Sequence, residues 1–221
     1  MYLQIIDKCN MKCAHCGMSA TEKGFEMPEK IWKECIQVAA EYGECLSLGG
    51  GEPTLHKQFI EILCYANAKS DDIPPWLATN GTNHARLLMK LAKVGAINVR
   101  FSIDQYHDTE MIDPEILYEI MKTDRSWEVS EIRTSNINVG RAKSLNDGVK
   151  KLDDECICDC LFVTPKGKVK FCGCPNAPII TDYRSLGDFI QCHAEIVNDS
   201  NVECWNKLSE SDKNKIIERF K

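Results

Sequence analysis

Three cysteines stand at positions 9, 13 and 16, within IIDKCNMKCAHCGMS (5–19), and five more fall within CICDCLFVTPKGKVKFCGC (156–174). Thiolates are ligands for soft and borderline metals, zinc and iron–sulfur clusters foremost. Three thiols with no local fourth leave one metal position without a protein ligand. A reactive centre needs such an opening, whereas structural zinc sites close all four positions. A zinc site completed by His15 or a distant residue is the alternative. The second group brackets a hairpin turning at Pro165-Lys166-Gly167, and thiols at both strand ends of one hairpin can bring four sulfurs together.

The elements that must position these groups follow from periodicity and turn signals. Residues 2–6 read as a short buried strand, and 28–42 as a helix with Pro28 in its first turn and Gly43 at its end. Ile31, Cys35, Val38, Ala39 and Tyr42 share one face at helical spacing. A strand at 45–48, the turn 49–53, a helix from about residue 56 to 68 and a strand at 75–79 come next. After Asn80-Gly81 there follow a helix at 83–94, a strand at 97–103, a helix near 114–123 and a fifth strand within 127–137. Strands alternating with helices at this spacing give a parallel sheet covered by helices. In such folds the chemistry gathers on loops leaving the C-terminal strand ends. The cysteine triplet, GGGEP (49–53), TNG (79–81) and SID (102–104) all fall there. After about residue 142 the rhythm stops and the cysteine-rich segment takes over.

The chain has 221 residues, is 43% hydrophobic and 27% charged, and carries 33 acidic against 27 basic residues for a net charge of −6. The acidic balance argues against a nucleic-acid groove. No apolar run approaches the roughly 20 residues of a membrane span, and the start, MYLQIIDK, lacks the features of a signal peptide. A cytoplasmic chain is expected. Thirteen cysteines in a reducing compartment point to metal rather than to disulfides. Cys35, Cys45 and Cys64, isolated in apolar segments, read as small buried hydrophobes.

The pattern Cys9-x3-Cys13-x2-Cys16 on the loop after the first strand resembles the signature of the radical S-adenosylmethionine (radical SAM) enzymes, over roughly residues 2–141. GGGEP is similar to the segment that binds the amino group of the methionine moiety in that family. Gly50 and Gly51 allow close backbone approach, and Glu52 offers a carboxylate for an ammonium. The resemblance implies a partial (β/α)6-type barrel whose three cysteines hold a 4Fe–4S cluster. Its open iron is chelated by S-adenosylmethionine, and one electron cleaves the sulfonium to a 5′-deoxyadenosyl radical that abstracts a substrate hydrogen. His15 matches a position near the adenine, and Ser102 one that contacts the carboxylate or ribose. Asp104, on the polar face of the fourth strand, can accept from ribose hydroxyls, and Asn80 is either a turn residue or a ligand. Relatives with extra clusters carry an arginine shortly after His-Asp. Here His107-Asp108 has none close behind, so Arg133 is the candidate carboxylate partner, with Arg100 and Arg125 behind it.

The segment 156–174 is similar to the SPASM and Twitch extensions, which carry auxiliary iron–sulfur clusters, and NVGRAKSL (138–145) resembles the lead-in to them. Cys156, Cys160, Cys172 and Cys174 are the expected ligands; Cys158, Cys192 or Cys204 can replace one, and zinc is the alternative to a second 4Fe–4S cluster. The expected organisation is a radical SAM core over 1–141 and, over 142–221, a small extension of cysteine-rich β-hairpin plus C-terminal helices. The resemblance implies an electron donor such as flavodoxin or ferredoxin. It also implies a substrate, with a ribosomally made peptide first and a small polar metabolite or nucleoside second. A metal-stapled binding module without catalysis is the remaining class, and it leaves the motifs at successive strand ends without a purpose.

Overall fold

The computed structural model describes residues 1–70, 73–122, 126–130, 139–145 and 160–221. In chain order, β1 (Tyr2–Ile6) leads to α1 (Glu29–Glu41), β2 (Ser47–Gly50), α2 (Phe59–Lys69), β3 (Trp76–Thr79), α3 (Ala85–Lys93), β4 (Asn98–Ser102), α4 (Pro114–Met121) and β5 (Glu128–Ser130). The first five strands run parallel in the order β5-β4-β3-β2-β1, each pairing with its sequence neighbour. This is an α/β partial barrel. The local signals that start the helices are visible at α4, where the Asp113 carboxylate accepts from the Glu115 and Ile116 N–H groups and Pro114 occupies the first turn.

Alternation along the strands sorts the two faces. Leu3, Ile5, Leu48, Leu77, Val99 and Phe101 are buried in a continuous core under the helices. Their neighbours Tyr2, Ser47, Ala78 and Ser102 are half-buried on the other face, where a ligand cavity belongs. On α1 the buried set is Trp32, Cys35, Ile36 and Ala39, while Tyr42 is exposed, so the inward face is rotated from the expected one. Cys35 is buried, but Cys45 and Cys64 are exposed, which corrects the reading of all three as core. Cys64 follows the inward-facing Leu63 by one position on α2 and is carried about 100° round the helix.

The cysteine-rich extension continues the same sheet. β6 (Phe162–Val163) pairs parallel with the side of β1 away from β2, followed by antiparallel β7 (Lys168–Lys170) and β8 (Ile179–Asp182). The hairpin lies where the sequence places it; β8 was not anticipated. Helices α5 (Leu186–Ser200) and α6 (Glu210–Arg219) complete the chain. Tyr2 and Phe162 stack across the β1–β6 junction, 5.1 Å between centroids and 9° between planes. Among the described residues no helix is long and apolar enough to cross a membrane.

Candidate active site

The three leading cysteines occupy the loop that leaves the C-terminal end of β1, and all three are half-buried. The Met11 N–H points at Cys9 Sγ at 3.4 Å. Burial pushes the Cys9 thiol above its ordinary value. Cys13 is pushed up to about 11 by burial first and then by the neighbouring thiolates of Cys9 and Cys16. Cys9 and Cys13 are thus poor as bare anions. A cationic metal centre offsets that penalty, and the donor set fits an iron–sulfur cluster.

The end of β2 lies directly against this loop. Gly51 N donates to Ile6 O at 2.9 Å and Glu52 N to Lys8 O at 2.9 Å. A Cβ on Gly51 would lie 2.2 Å from Lys8 O and 3.1 Å from Cys9 Cβ, so only glycine lets the two backbones come this close. Gly51 is thus an immediate neighbour of Cys9, and Gly50 lies against Ile6.

Glu52 does something the sequence did not disclose. Its residue is 1% exposed, and its carboxylate accepts four hydrogen bonds. They come from Thr54 N (3.2 Å), Thr54 Oγ1 (2.6 Å), Thr79 Oγ1 (2.7 Å) and Asn80 N (2.8 Å). Three of these donors fall on Oε1 and one on Oε2, and with about two acceptor sites per oxygen Oε2 keeps one for a further donor. Burial holds this carboxyl above its usual value of 4.5, against the pull of those donors. Asn80 Nδ2 in turn donates to Asn10 Oδ1 at 2.9 Å, and Asn10 Nδ2 to Thr82 Oγ1 at 2.9 Å. The ends of β2 and β3 and the cysteine loop are therefore one hydrogen-bonded unit.

The loop after β4 approaches from the other side. His15 packs against Tyr106 with ring centroids 4.8 Å apart and edge-on to His107 at 5.0 Å. Asp104 is buried; it binds His107 Nδ1 at 2.7 Å, accepts from Tyr106 N at 3.1 Å, and lies 4.0 Å from His15 Nε2. Its carboxylate thus engages the histidine pair and the backbone at the end of β4. Ser102 is half-buried at the end of β4, opposite Ser130. Arg100 is engaged by Glu128, Nε to Oε2 at 2.7 Å, and lies over the Trp76 ring. Arg133 and Arg125 lie outside the described residues.

Arg141 is a residue that sequence reasoning passed over. Its Nε donates to Cys13 O at 2.9 Å, one guanidinium nitrogen donates to Ala20 O at 2.5 Å, and its backbone N–H donates to Cys16 O at 3.0 Å. His56, also unremarked, joins the GGGEP loop to the lead-in of α1: its Nε2 lies 2.9 Å from Met27 O, and Gln58 N donates to its Nδ1 at 3.0 Å.

In the extension, Cys172, Cys174 and Cys204 are buried with their sulfurs all within 4.8 Å of one another. Cys174 and Cys204 approach to 3.7 Å, far beyond the about 2.05 Å of a disulfide bond. Cys172 and Cys174 were expected, and Cys204 is the substitute that joins them. Cys192 sits apart, beside Arg219. Cys160 is half-buried just before β6; Cys156 and Cys158 lie outside the described residues.

The family model described as Radical SAM superfamily matches residues 3–158, more than half of the chain. Among curated proteins, Fe-coproporphyrin III synthase of Methanosarcina barkeri is 35% identical over 106 residues, covering 46% of this chain and 26% of that protein. A GTP 3′,8-cyclase of Haemophilus influenzae is 29% identical over 161 residues, covering 66% of this chain and 45% of its own. The chain thus spans less than half the length of these curated relatives. Among solved structures, BtrN in complex with AdoMet and 2-DOIA superposes with a TM-score of 0.59 at 15% identity, covering 85% of this chain and 79% of that one. That likeness is one of fold.

Proposed function

Because the chain belongs to the Radical SAM superfamily, we propose that it is an enzyme that uses S-adenosylmethionine to abstract a hydrogen atom from its substrate. The observation that carries this reading is the convergence of three half-buried thiols on one short loop with a glycine segment pressed against one of them. Cys9, Cys13 and Cys16 would hold the 4Fe–4S cluster. When bound, that cluster supplies one electron to the sulfonium, giving methionine and a 5′-deoxyadenosyl radical.

The remaining roles belong to the chain's own groups. We assign the methionine ammonium to the segment of Gly50, Gly51 and Glu52, whose carboxylate Thr54, Thr79 and Asn80 hold in place. The His15–Tyr106 pair forms an aromatic wall suited to the adenine. Ser102 lines the cavity face, and Asp104 fixes His107 beneath that wall. The carboxylate partner is assigned to Arg133. A flavodoxin- or ferredoxin-type donor would supply the electron.

We assign the extension a second metal centre of the SPASM/Twitch kind, held by Cys172, Cys174 and Cys204, with the fourth ligand among Cys156, Cys158 and Cys160. A 4Fe–4S cluster is the first assignment and zinc the second. The proposed boundary between core and extension stays at residues 141 and 142.

A peptide is the first substrate class, on the resemblance of the extension to those of peptide-modifying relatives. A small polar metabolite is the second, favoured by the fold likeness over most of both chains to BtrN, which was crystallised with AdoMet and 2-DOIA. Anaerobic incubation of the reconstituted chain with peptides encoded beside its gene, and with a panel of small polar metabolites, separates them. A mass loss of one or two hydrogens in a peptide supports the first class. Turnover confined to the small molecules replaces it with the second.

A further inference from the structure

Residues Val139–Leu145 form a short turn, with a 3-10 segment at Gly140–Ser144, that lies against the outside of the cysteine loop. The fit is close at three successive residues. Val139 Cγ2 would meet a Cβ on Gly17 at 3.1 Å. Gly140 has φ +55°, and a Cβ there would fall 2.5 Å from Cys16 O and 2.4 Å from Gly17 O. Arg141 then makes its three donations, to the carbonyls of Cys13, Cys16 and Ala20. Two of these acceptors belong to cysteines of the proposed cluster, and the third closes the loop behind them. Ala142 is buried, whereas Lys143 points to solvent.

Resting on the reading above, we infer that Arg141 is a positioning residue with two effects: it staples the cysteine loop into the shape that holds a cluster, and its charge raises that cluster's reduction potential. The first effect follows from geometry. The planar guanidinium reaches Cys13 O and Ala20 O, seven residues apart in sequence, from one rigid fork, which a lysine ammonium cannot reproduce. The second follows from electrostatics. A fixed positive charge beside a centre that gains an electron favours the reduced state, and net charge and hydrogen bonding are established levers on iron–sulfur potentials.

The test compares wild type, Arg141→Lys, Arg141→Gln and Lys143→Ala as full chains, reconstituted anaerobically and confirmed to be folded by circular dichroism. The site's cluster is identified as the paramagnetic component that changes when S-adenosylmethionine is added, and its midpoint potential is titrated. Iron loss to a chelator is followed in parallel. Arg141→Gln is expected to shift the midpoint to more negative values and to lose iron several-fold faster. Arg141→Lys should keep a potential nearer that of wild type while also losing iron faster, and Lys143→Ala should match wild type in both. A residue that is only structural would change iron retention and leave the potentials of the Lys and Gln variants equal. That equality, or iron loss from the variants at the wild-type rate, overturns the inference. If Arg141→Gln does not fold, Arg141→Lys decides through its iron loss. A wild type with no component responsive to S-adenosylmethionine overturns the underlying reading, a result distinguishable from the others because it appears before any variant is compared.

Discussion

Glu52 Oε2 accepts the backbone N–H of Asn80 at 2.8 Å, joining the ends of β2 and β3 through a buried carboxylate. Asn80 carries the link to the cysteine loop through Asn10. The motif glutamate is thus a brace between the ends of β2 and β3 and the cysteine loop.

Glu52→Ala should cost about 3 kcal/mol of stability, because it leaves the N–H groups of Thr54 and Asn80 buried without their acceptor. Glu52→Gln keeps one acceptor oxygen and should cost less than half as much. Its pH profile should also differ. A carboxyl whose folded pKa is raised contributes stability that is full at low pH and is lost as pH rises above the unfolded value near 4.5. Urea midpoints of wild type should therefore carry a downward component above pH 4.5 that Glu52→Gln lacks; equal profiles would show that this burial has no electrostatic cost.

His56 has the opposite sign. Burial lowers its pKa below the usual 6.5, and its Nδ1 is an acceptor from Gln58 N, so the fold holds it neutral. The nearby charges of Glu26 and Glu61 favour its protonation and that of Lys57 opposes it, all more weakly than burial. Below pH 6.5 the unfolded chain takes up a proton that the folded chain refuses, so stability falls with pH, by at most about 1.4 kcal/mol per pH unit for one proton. Between pH 7.5 and 5.5 the urea midpoint of wild type should drop more than that of His56→Asn. Parallel curves would contradict the assignment.

Cys204→Ser should remove the metal of the extension while sparing that of the leading cysteines: about four irons lost if the centre is a cluster, or the zinc lost if it is zinc. Cys192→Ser, altering a thiol beside Arg219, should keep its full metal content. Iron and zinc analysis after reconstitution decides this, and a Cys204 variant with undiminished metal would exclude it as a ligand.

Which parts of this were legible in the sequence follows from the range of each interaction. The order of β1 to β5 with their helices could be read because each element carries its own period and its own turn residues, and the family match supports the cluster motif. Cys9, Cys13 and Cys16 stand out because they share one short loop. Cys204 lies 30 residues beyond Cys174 and reaches it only through the packing of the C-terminal helices, which no local pattern encodes. The pairing of β6 with β1 involves two residues on β6, too few for any periodicity. The Glu52 brace was hidden because a glutamate beside glycines gives no sign of whether its carboxylate turns inward; Arg141 was hidden because its partners are backbone carbonyls, which every residue has.

The central claim is that the leading cysteines form a centre that cleaves S-adenosylmethionine. The chain, reconstituted anaerobically with iron and sulfide, is mixed with S-adenosylmethionine and dithionite, and 5′-deoxyadenosine is quantified by chromatography alongside iron per chain. Wild type should produce it. The Cys9→Ala, Cys13→Ala, Cys16→Ala triple variant should produce none and should carry about four fewer irons. Undiminished 5′-deoxyadenosine from the triple variant, or none from a wild type that holds its full iron, would contradict the account.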